Sequence, residues 1–346
     1  MDKKIRYPRI KPLKIKQQAQ IISTGIALPE RVITNQDIID TYDIRATDRA
    51  VQYSLGIKER RWAQIDQRID SLMAEAVLQC LKRANLDIEQ MDRVIYSRLL
   101  GDYQVPASAV KVLEKLGAKT GIPAFDITPA CSGFLQAMDM GIRFIDSGDD
   151  YVLLIGGGIS SRAIQIWGRP NPKTVFLFGD AMVAMILGVS STKRFLSSYV
   201  LTNHHLYSNA LIPFGTSILR KDLDGNDFSV FNMNVLDGKM ILKSSIDYSQ
   251  LITKNLLIQT GYTLDEIDYF ITTDQSTRIW EAQLKALDIP PEKSLSLFYK
   301  YGNTVSAMSP LILDELIYTG RLKRGDLVMM LAHGAGASSA GMMFRY

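Results

Sequence analysis

The chain has 346 residues, 47% hydrophobic and 22% charged, and its 40 Lys and Arg against 36 Asp and Glu leave a net charge of +4. A chain of this size buries a large core and is expected to form two domains or one duplicated domain, while the charge is too mild to imply a nucleic-acid partner. Two cysteines, Cys80 and Cys131, make no disulfide framework, and three histidines without CxxC or HExxH spacing predict no metal site.

Residues 1–18 carry the densest basic run and read as a solvated tail, with an acidic partner as the alternative. They lack the apolar core of a signal peptide, and no stretch approaches 18 uninterrupted apolar residues, so a cytoplasmic protein without a membrane span is expected. From Gln20 strand-like and helix-like runs alternate, the pattern of an α/β layered fold. In SLMAEAVLQCLKRANL (71–86), Leu72, Ala76, Cys80 and Ala84 recur beside Met73, Val77 and Leu81, which predicts an amphipathic helix burying an inert thiol. AIQIWGRPNPK (163–173) and GTSILRKDLDGNDFS (215–229) read as loops over a cleft, and His204 and His205 as part of its rim.

An internal echo organises these runs. MDRVIYS (91–97) and IDYFITT (267–273) place Asp92 and Asp268 at a separation of 176 residues, and the same separation relates Asp150, before YVLLIGGG, to Asp326, before LVMMLAHG. Two equivalent halves, 19–190 and 191–346, packed about a pseudo-two-fold axis, are therefore predicted.

The stretch PAFDITPACSGF (123–134) raises the chemical question. AFDI reads as a buried strand, and Leu135, Met138, Ile142 and Ile145 mark a following helix, so Cys131 falls at or just before a helix start. A helix N-terminus stabilises a thiolate, Gly133 would admit a close substrate carbonyl, and the Cys131 amide could hold an oxyanion. A small buried residue at a tight junction accounts for the same position equally well. The glycine-rich GGGIS (156–160) and HGAGASSAG (333–341) match neither phosphate-cradle pattern, and they read as packing positions after buried strands.

AFDITPACSGF resembles the nucleophile segment of β-ketoacyl-acyl-carrier-protein synthase III, of the thiolase superfamily. The likeness continues in order through IISTGIALPERVITNQDI, GIKERR, FGD (178–180), Arg278–Ile279, YGNT (301–304) and GDLVMMLAHGAG (325–336), and so spans about 19–346. It implies a duplicated five-layered αβαβα thiolase fold, a homodimer or a heterodimer with a paralogue, and an acyl-carrier-protein partner. It also implies no cofactor, since substrates arrive as phosphopantetheine thioesters of carrier protein or CoA. Cys131 matches the acylated nucleophile, Asn303 the catalytic Asn, and Ala335 the second oxyanion-hole amide. The family His is absent: the ungapped position holds Thr273, and a one-residue slip brings Asp274 there.

His333 stands where the family usually has an aromatic residue and the thiolase branch a second cysteine. A side chain there is expected to point at the nucleophile, so His333 is the candidate general base and acid. Arg278 matches the basic residue at the tunnel mouth. The adenine-stacking pair falls on Ala50 and Ser54, which cannot stack, with Trp62 or Arg60 as possible replacements. Val105, before Pro106, matches the residue that enters the partner's acyl pocket. These positions lead to an expected acyl-thioester-dependent acyltransferase or Claisen-type condensing enzyme of specialised lipid or polyketide synthesis, with an altered, non-decarboxylating mechanism. The alternatives are a non-catalytic or half-catalytic partner subunit and a standard decarboxylating synthase.

Overall fold

In the N-terminal half the chain runs β1 (Gln18–Ala27), β2 (Val32–Thr34), α1 (Asn35–Tyr42), α2 (Asp48–Leu55), β3 (Glu59–Arg61), α3 (Ile69–Ala84), β4 (Arg93–Arg98), α4 (Ser108–Lys115), β5 (Ala124–Ile127), α5 (Gly133–Asp146), β6 (Tyr151–Gly158) and β7 (Ala181–Ser190). There follow β8 (Phe195–Thr202), β9 (Ala210–Leu211), β10 (Asn234–Val235), α6 (Gly238–Thr260), β11 (Tyr269–Thr272), α7 (Thr277–Leu287), α8 (Phe298–Tyr301), α9 (Met308–Tyr318), β12 (Leu327–Gly334) and β13 (Ser338–Arg345). This computed structural model describes residues 7–12, 14–164, 170–171, 174–212, 233–273 and 275–346. The expected loop at 215–229, most of that at 163–173, and Asp274 lie outside the described residues.

Two mixed sheets dominate, ordered β1-β7-β6-β4-β5 and β8-β13-β12-β11. Each sheet contains a parallel pair, β4 with β6 in the first and β11 with β12 in the second, whose corresponding strands begin 176 residues apart. The aspartates singled out by the echo have matching tasks. Asp92 Oδ2 accepts from the amides of Asp150 and Tyr151 at 2.7 and 2.9 Å, and Asp268 Oδ2 from that of Leu327 at 2.7 Å, tying the start of each long strand to its neighbour.

Apolar periodicity builds five layers. α3 and α4 cover the outer face of the first sheet, α5 and α9 fill the space between the sheets, and α6 and α7 cover the outer face of the second. Strand alternation divides β12 between two of these cores: Val328, Met330 and Ala332 face the central layer, and Leu327, Met329 and Leu331 face α6 and α7. Cys80 lies fully buried on the apolar face of α3, where burial pushes its thiol up to about 12. No helix among the described residues is long and apolar enough to cross a membrane.

The described part of the basic segment, from Tyr7 on, is not a solvated tail. Tyr7 and Ile10 pack on the outer core of the second sheet, Tyr199 Oη donates to Pro8 O at 2.6 Å, and the amides of Lys16 and Gln17 donate to Asp146 Oδ1. The apolar residues spaced between its charges give it something to bury, which a count of basic residues overlooks.

Candidate active site

Between β5 and α5 the chain makes one tight turn, Ala130–Ser132, in which Ala130 takes the left-handed φ of 52°. Such a conformation in a non-glycine residue is strained and is held by its surroundings. The first turn of α5 presses against β4: a Cβ at Gly133 would lie 2.0 Å from Ser97 Oγ. Gly133 is therefore demanded by packing rather than by access for a substrate. Gly334, the last residue of β12, closes on the other side of the turn, where its Cβ would lie 2.7 Å from Pro129 O and 3.1 Å from the Cys131 amide nitrogen.

Cys131 is 8% exposed and opens into a cavity of about 240 Å³, with Asn303, His333 and Ala335 also in its walls. The cavity meets a second chamber of about 540 Å³ at Ala130 and Ala335, and the segment Leu100–Gln104 lines that chamber alone. Burial pushes the Cys131 thiol up to about 12, against the pull of a hydrogen bond from the Asn303 side chain and of its own backbone N–H. Desolvation outweighs the helix terminus, so Cys131 rests as a thiol and not the thiolate the helix start suggested.

Asn303 is placed by the motifs FGD and YGNT acting together. Its N–H donates to Leu177 O at 2.7 Å and its carbonyl accepts from Gly179 N at 3.2 Å. That approach needs both glycines, because a Cβ at Gly179 would lie 2.0 Å from Tyr301 O and one at Gly302, which has a φ of 65°, 2.8 Å from Leu177 O. The Asn303 Oδ1 accepts from Val305 N at 2.8 Å, which leaves Nδ2 as the group aimed at Cys131. Asp180, the last residue of FGD, is wholly buried and accepts from Ala63 N, Ser161 N and Ser161 Oγ at 2.7–2.8 Å; burial pushes it up to about 6. It braces the segment that carries Asn303.

His333 lines the same cavity but is not brought to Cys131. Its Nε2 pairs with Ser249 Oγ at 2.8 Å and its Nδ1 with Ser339 Oγ at 2.9 Å, and no hydrogen bond joins it to Cys131 among the described residues. Strand parity is the reason: Gly334 faces the Ala130–Ser132 turn, so its neighbour His333 faces α6. Burial lowers the ring to about 4, which keeps it neutral.

Thr273 is buried outside the cavity walls, its hydroxyl accepting from His333 N at 3.1 Å. Asp274 lies outside the described residues. Arg278 is exposed and lines neither cavity, though Ser276 and Ile279 beside it line the first; it donates to Tyr53 O at 3.1 Å with its guanidinium 5.2 Å from the Tyr53 ring centre. Val105 is 82% exposed and lines neither cavity.

Trp62 and Arg60 cannot take over from Ala50 and Ser54. Both are buried, Trp62 donating to Phe178 O and Arg60 to Ile33 O, Asn35 Oδ1 and Phe176 O. Sequence reasoning missed Ser249 and Gln283. The available signal was Ser245, Ser249 and Thr253 at every fourth residue, a run of hydroxyls on the buried face of α6.

Comparison with known proteins places the chain in a family. The family model for 3-oxoacyl-[acyl-carrier-protein] synthase III matches residues 125–204, and the model for its C-terminal part matches 257–346. A β-ketoacyl-[acyl-carrier-protein] synthase III of Aquifex aeolicus is 34% identical over 94% of this chain and 99% of its own length. One from Rhodopirellula baltica is 31% identical over 94% and 98%. The crystal structure of 3-oxoacyl-[acyl-carrier-protein] synthase III from Aquifex aeolicus superposes with a TM-score of 0.85 at 31% identity, covering 95% of this chain and all of that one. A priming β-ketosynthase of the R1128 polyketide pathway, 24% identical with a TM-score of 0.85 over 99% and 98% of the two chains, shares the fold. The chain belongs to the β-ketoacyl-acyl-carrier-protein synthase III family of the thiolase superfamily, and it is an acyltransferase with the duplicated five-layered αβαβα thiolase fold.

Proposed function

We propose that the protein is a Claisen-type condensing enzyme that carries its acyl group on Cys131 and passes it to the carbanion of a second thioester. The observation that carries this reading is the Asn303 amide, held by Val305 N so that its N–H donor meets Cys131 in a cavity with apolar walls. In the first step Cys131 Sγ attacks the donor carbonyl, the Cys131 and Ala335 amides hold the oxyanion, and the thiol proton leaves with the departing thiolate. In the second, the acceptor carbanion forms a carbon–carbon bond to the acyl carbonyl and Sγ leaves as the thiolate, which then takes a proton from solvent, with Asn303 Nδ2 holding the acceptor's enolate oxygen.

The names of the relatives support a carrier-protein thioester as substrate and a β-ketoacyl product; for such a product, decarboxylation of a malonyl acceptor would supply the carbanion. Thr273 favours a second reading, an acceptor already activated as a β-keto thioester. It stands at the family His position, has no base to offer, and turns its hydroxyl to a backbone amide. The contact between Cys131 and Asn303 supports a catalytic chain over a partner subunit that only completes another's pocket. Exposed Val105, next to the segment bounding the second chamber, supports a homodimer in which it reaches the partner's acyl chamber.

The test is product analysis with a decanoyl thioester as donor and malonyl or acetoacetyl carrier protein as acceptor. A β-keto product from malonyl carrier protein with release of CO₂ supports the decarboxylating route, and a product from acetoacetyl carrier protein alone supports the second. An acylated enzyme that forms no carbon–carbon bond with either acceptor refutes condensation.

A further inference from the structure

A buried chain of hydrogen bonds runs from the outer layer to the cavity. Thr272 Oγ1 donates to Gln283 Oε1 at 3.2 Å, and Gln283 Nε2 donates to Ser249 Oγ at 3.0 Å. Ser249 Oγ then lies 2.8 Å from His333 Nε2, and His333 Nδ1 2.9 Å from Ser339 Oγ. All five residues are at most 4% exposed, so each proton in the chain needs an acceptor.

The two possible directions leave the unmatched hydroxyl proton in different places. With the Gln283 amide donating to it, Ser249 keeps its own proton for His333 Nε2, which makes Nε2 the acceptor and puts the single proton of the neutral ring on Nδ1. Nδ1–H then donates to Ser339 Oγ. In the reverse direction Ser249 Oγ would receive two donors, and its own proton would have no acceptor among the described residues. The chosen direction ends on Ser339, whose proton likewise has no acceptor among the described residues. Ser339, however, lines the cavity that holds Cys131, so a bound molecule can supply one.

We infer that His333 is a positioning residue: fixed as the Nδ1–H tautomer by Ser249 and Gln283, it presents the Ser339 hydroxyl as a ready hydrogen-bond donor to a carbonyl oxygen of the thioester bound in the cavity. This rests on the proposed function for the identity of the ligand and on the hydrogen-bond chain for the rest. His333, on the face of β12 turned to α6, thereby acts on the substrate through Ser339 and takes no proton from Cys131.

Two measurements on the full-length protein test it. Histidine-selective ¹⁵N labelling with long-range ¹H–¹⁵N correlation reads the tautomer directly, and the signals of the other two histidines, the exposed His204 and His205, are assigned with His204→Gln and His205→Gln. A buried ring protonated at Nδ1 that switches to Nε2–H in Ser249→Ala is expected; an Nε2–H ring in the unmodified protein overturns the inference. The second measurement follows acylation of Cys131 by decanoyl-pantetheine with intact mass. Ser339→Ala is expected to lower the acylation rate constant per unit donor by about 10- to 100-fold. An unchanged rate in a folded variant overturns the role of Ser339. The tautomer measurement does not depend on turnover, so a protein that never acylates Cys131 sinks the proposed function while the ring still decides this inference.

Discussion

Asn303→Ala separates the catalytic role proposed for this residue from what it does for the fold. The substitution removes the Nδ2 donor to Cys131 and the Oδ1 acceptor of the Val305 amide. Val305 sits at a φ of 59°, a costly conformation for a β-branched residue, and its N–H is buried. Leaving that donor unpaired costs about 1–3 kcal/mol of folding stability. The catalytic loss is larger and falls on a different step. Removing one donor aimed at a developing oxyanion costs about 2.7–4 kcal/mol, or a factor of about 10²–10³ in rate. The donor also lowers the Cys131 thiol, so its removal pushes that group higher still and slows acylation. Intact mass would follow acylation and the subsequent transfer separately, and thermal unfolding would follow stability. Transfer slowed about 100-fold or more, with acylation slowed less and the protein still folded, is the expected pattern. A variant that transfers its acyl group within about threefold of the parent would refute the assignment of Asn303.

Further outcomes follow from the same geometry. Because burial holds the Cys131 thiol near 12, its alkylation by iodoacetamide should rise about tenfold per pH unit from pH 7 to 10 when mapped by peptide mass; a plateau below pH 8 would contradict a resting thiol. His333 is lowered from 6.5 to about 4, so its neutral form stabilises the fold fully above pH 6.5, and that contribution is lost as pH falls toward 4. It amounts to about 3 kcal/mol, and the difference between denaturation curves of the parent and His333→Leu should flatten accordingly, since Asp180 titrates alike in both. Gly179→Ala should destabilise by about 3 kcal/mol or more, because its Cβ would meet the Tyr301 carbonyl at 2.0 Å, and should slow transfer by displacing Asn303. Val105→Phe should shift the donor preference toward shorter acyl chains in a panel from two to ten carbons, and an unchanged preference would remove Val105 from the acyl chamber.

Much of the architecture is legible in the sequence, for a physical reason. The periodicity of residues 72–84 and the strand runs beside Asp92, Asp150, Asp268 and Asp326 are local signals, and burial on two faces leaves them few alternatives. The strand–turn–helix around Cys131 is local as well, and Asn303 was found through its motif. What the sequence left open depends on parity and partners. Whether His333 meets Cys131 turns on which face of β12 it occupies, and a shift of one residue reverses the answer. The thiol's charge state turns on how deeply the turn is covered, a tertiary quantity that outweighs the nearby helix start. Arg60 and Trp62 look available in a charged run, yet carbonyls 116 residues further on take them both. The basic segment hides Tyr7 and Ile10, whose partners lie in the C-terminal half.

The most direct test of the central claim is the intact mass of the protein after incubation with thioesters of two to ten carbons. The account predicts a single acyl adduct that maps to Cys131, is absent in Cys131→Ala, and is discharged when the acceptor thioester is added. No adduct with any donor, or one that persists in Cys131→Ala, would contradict it.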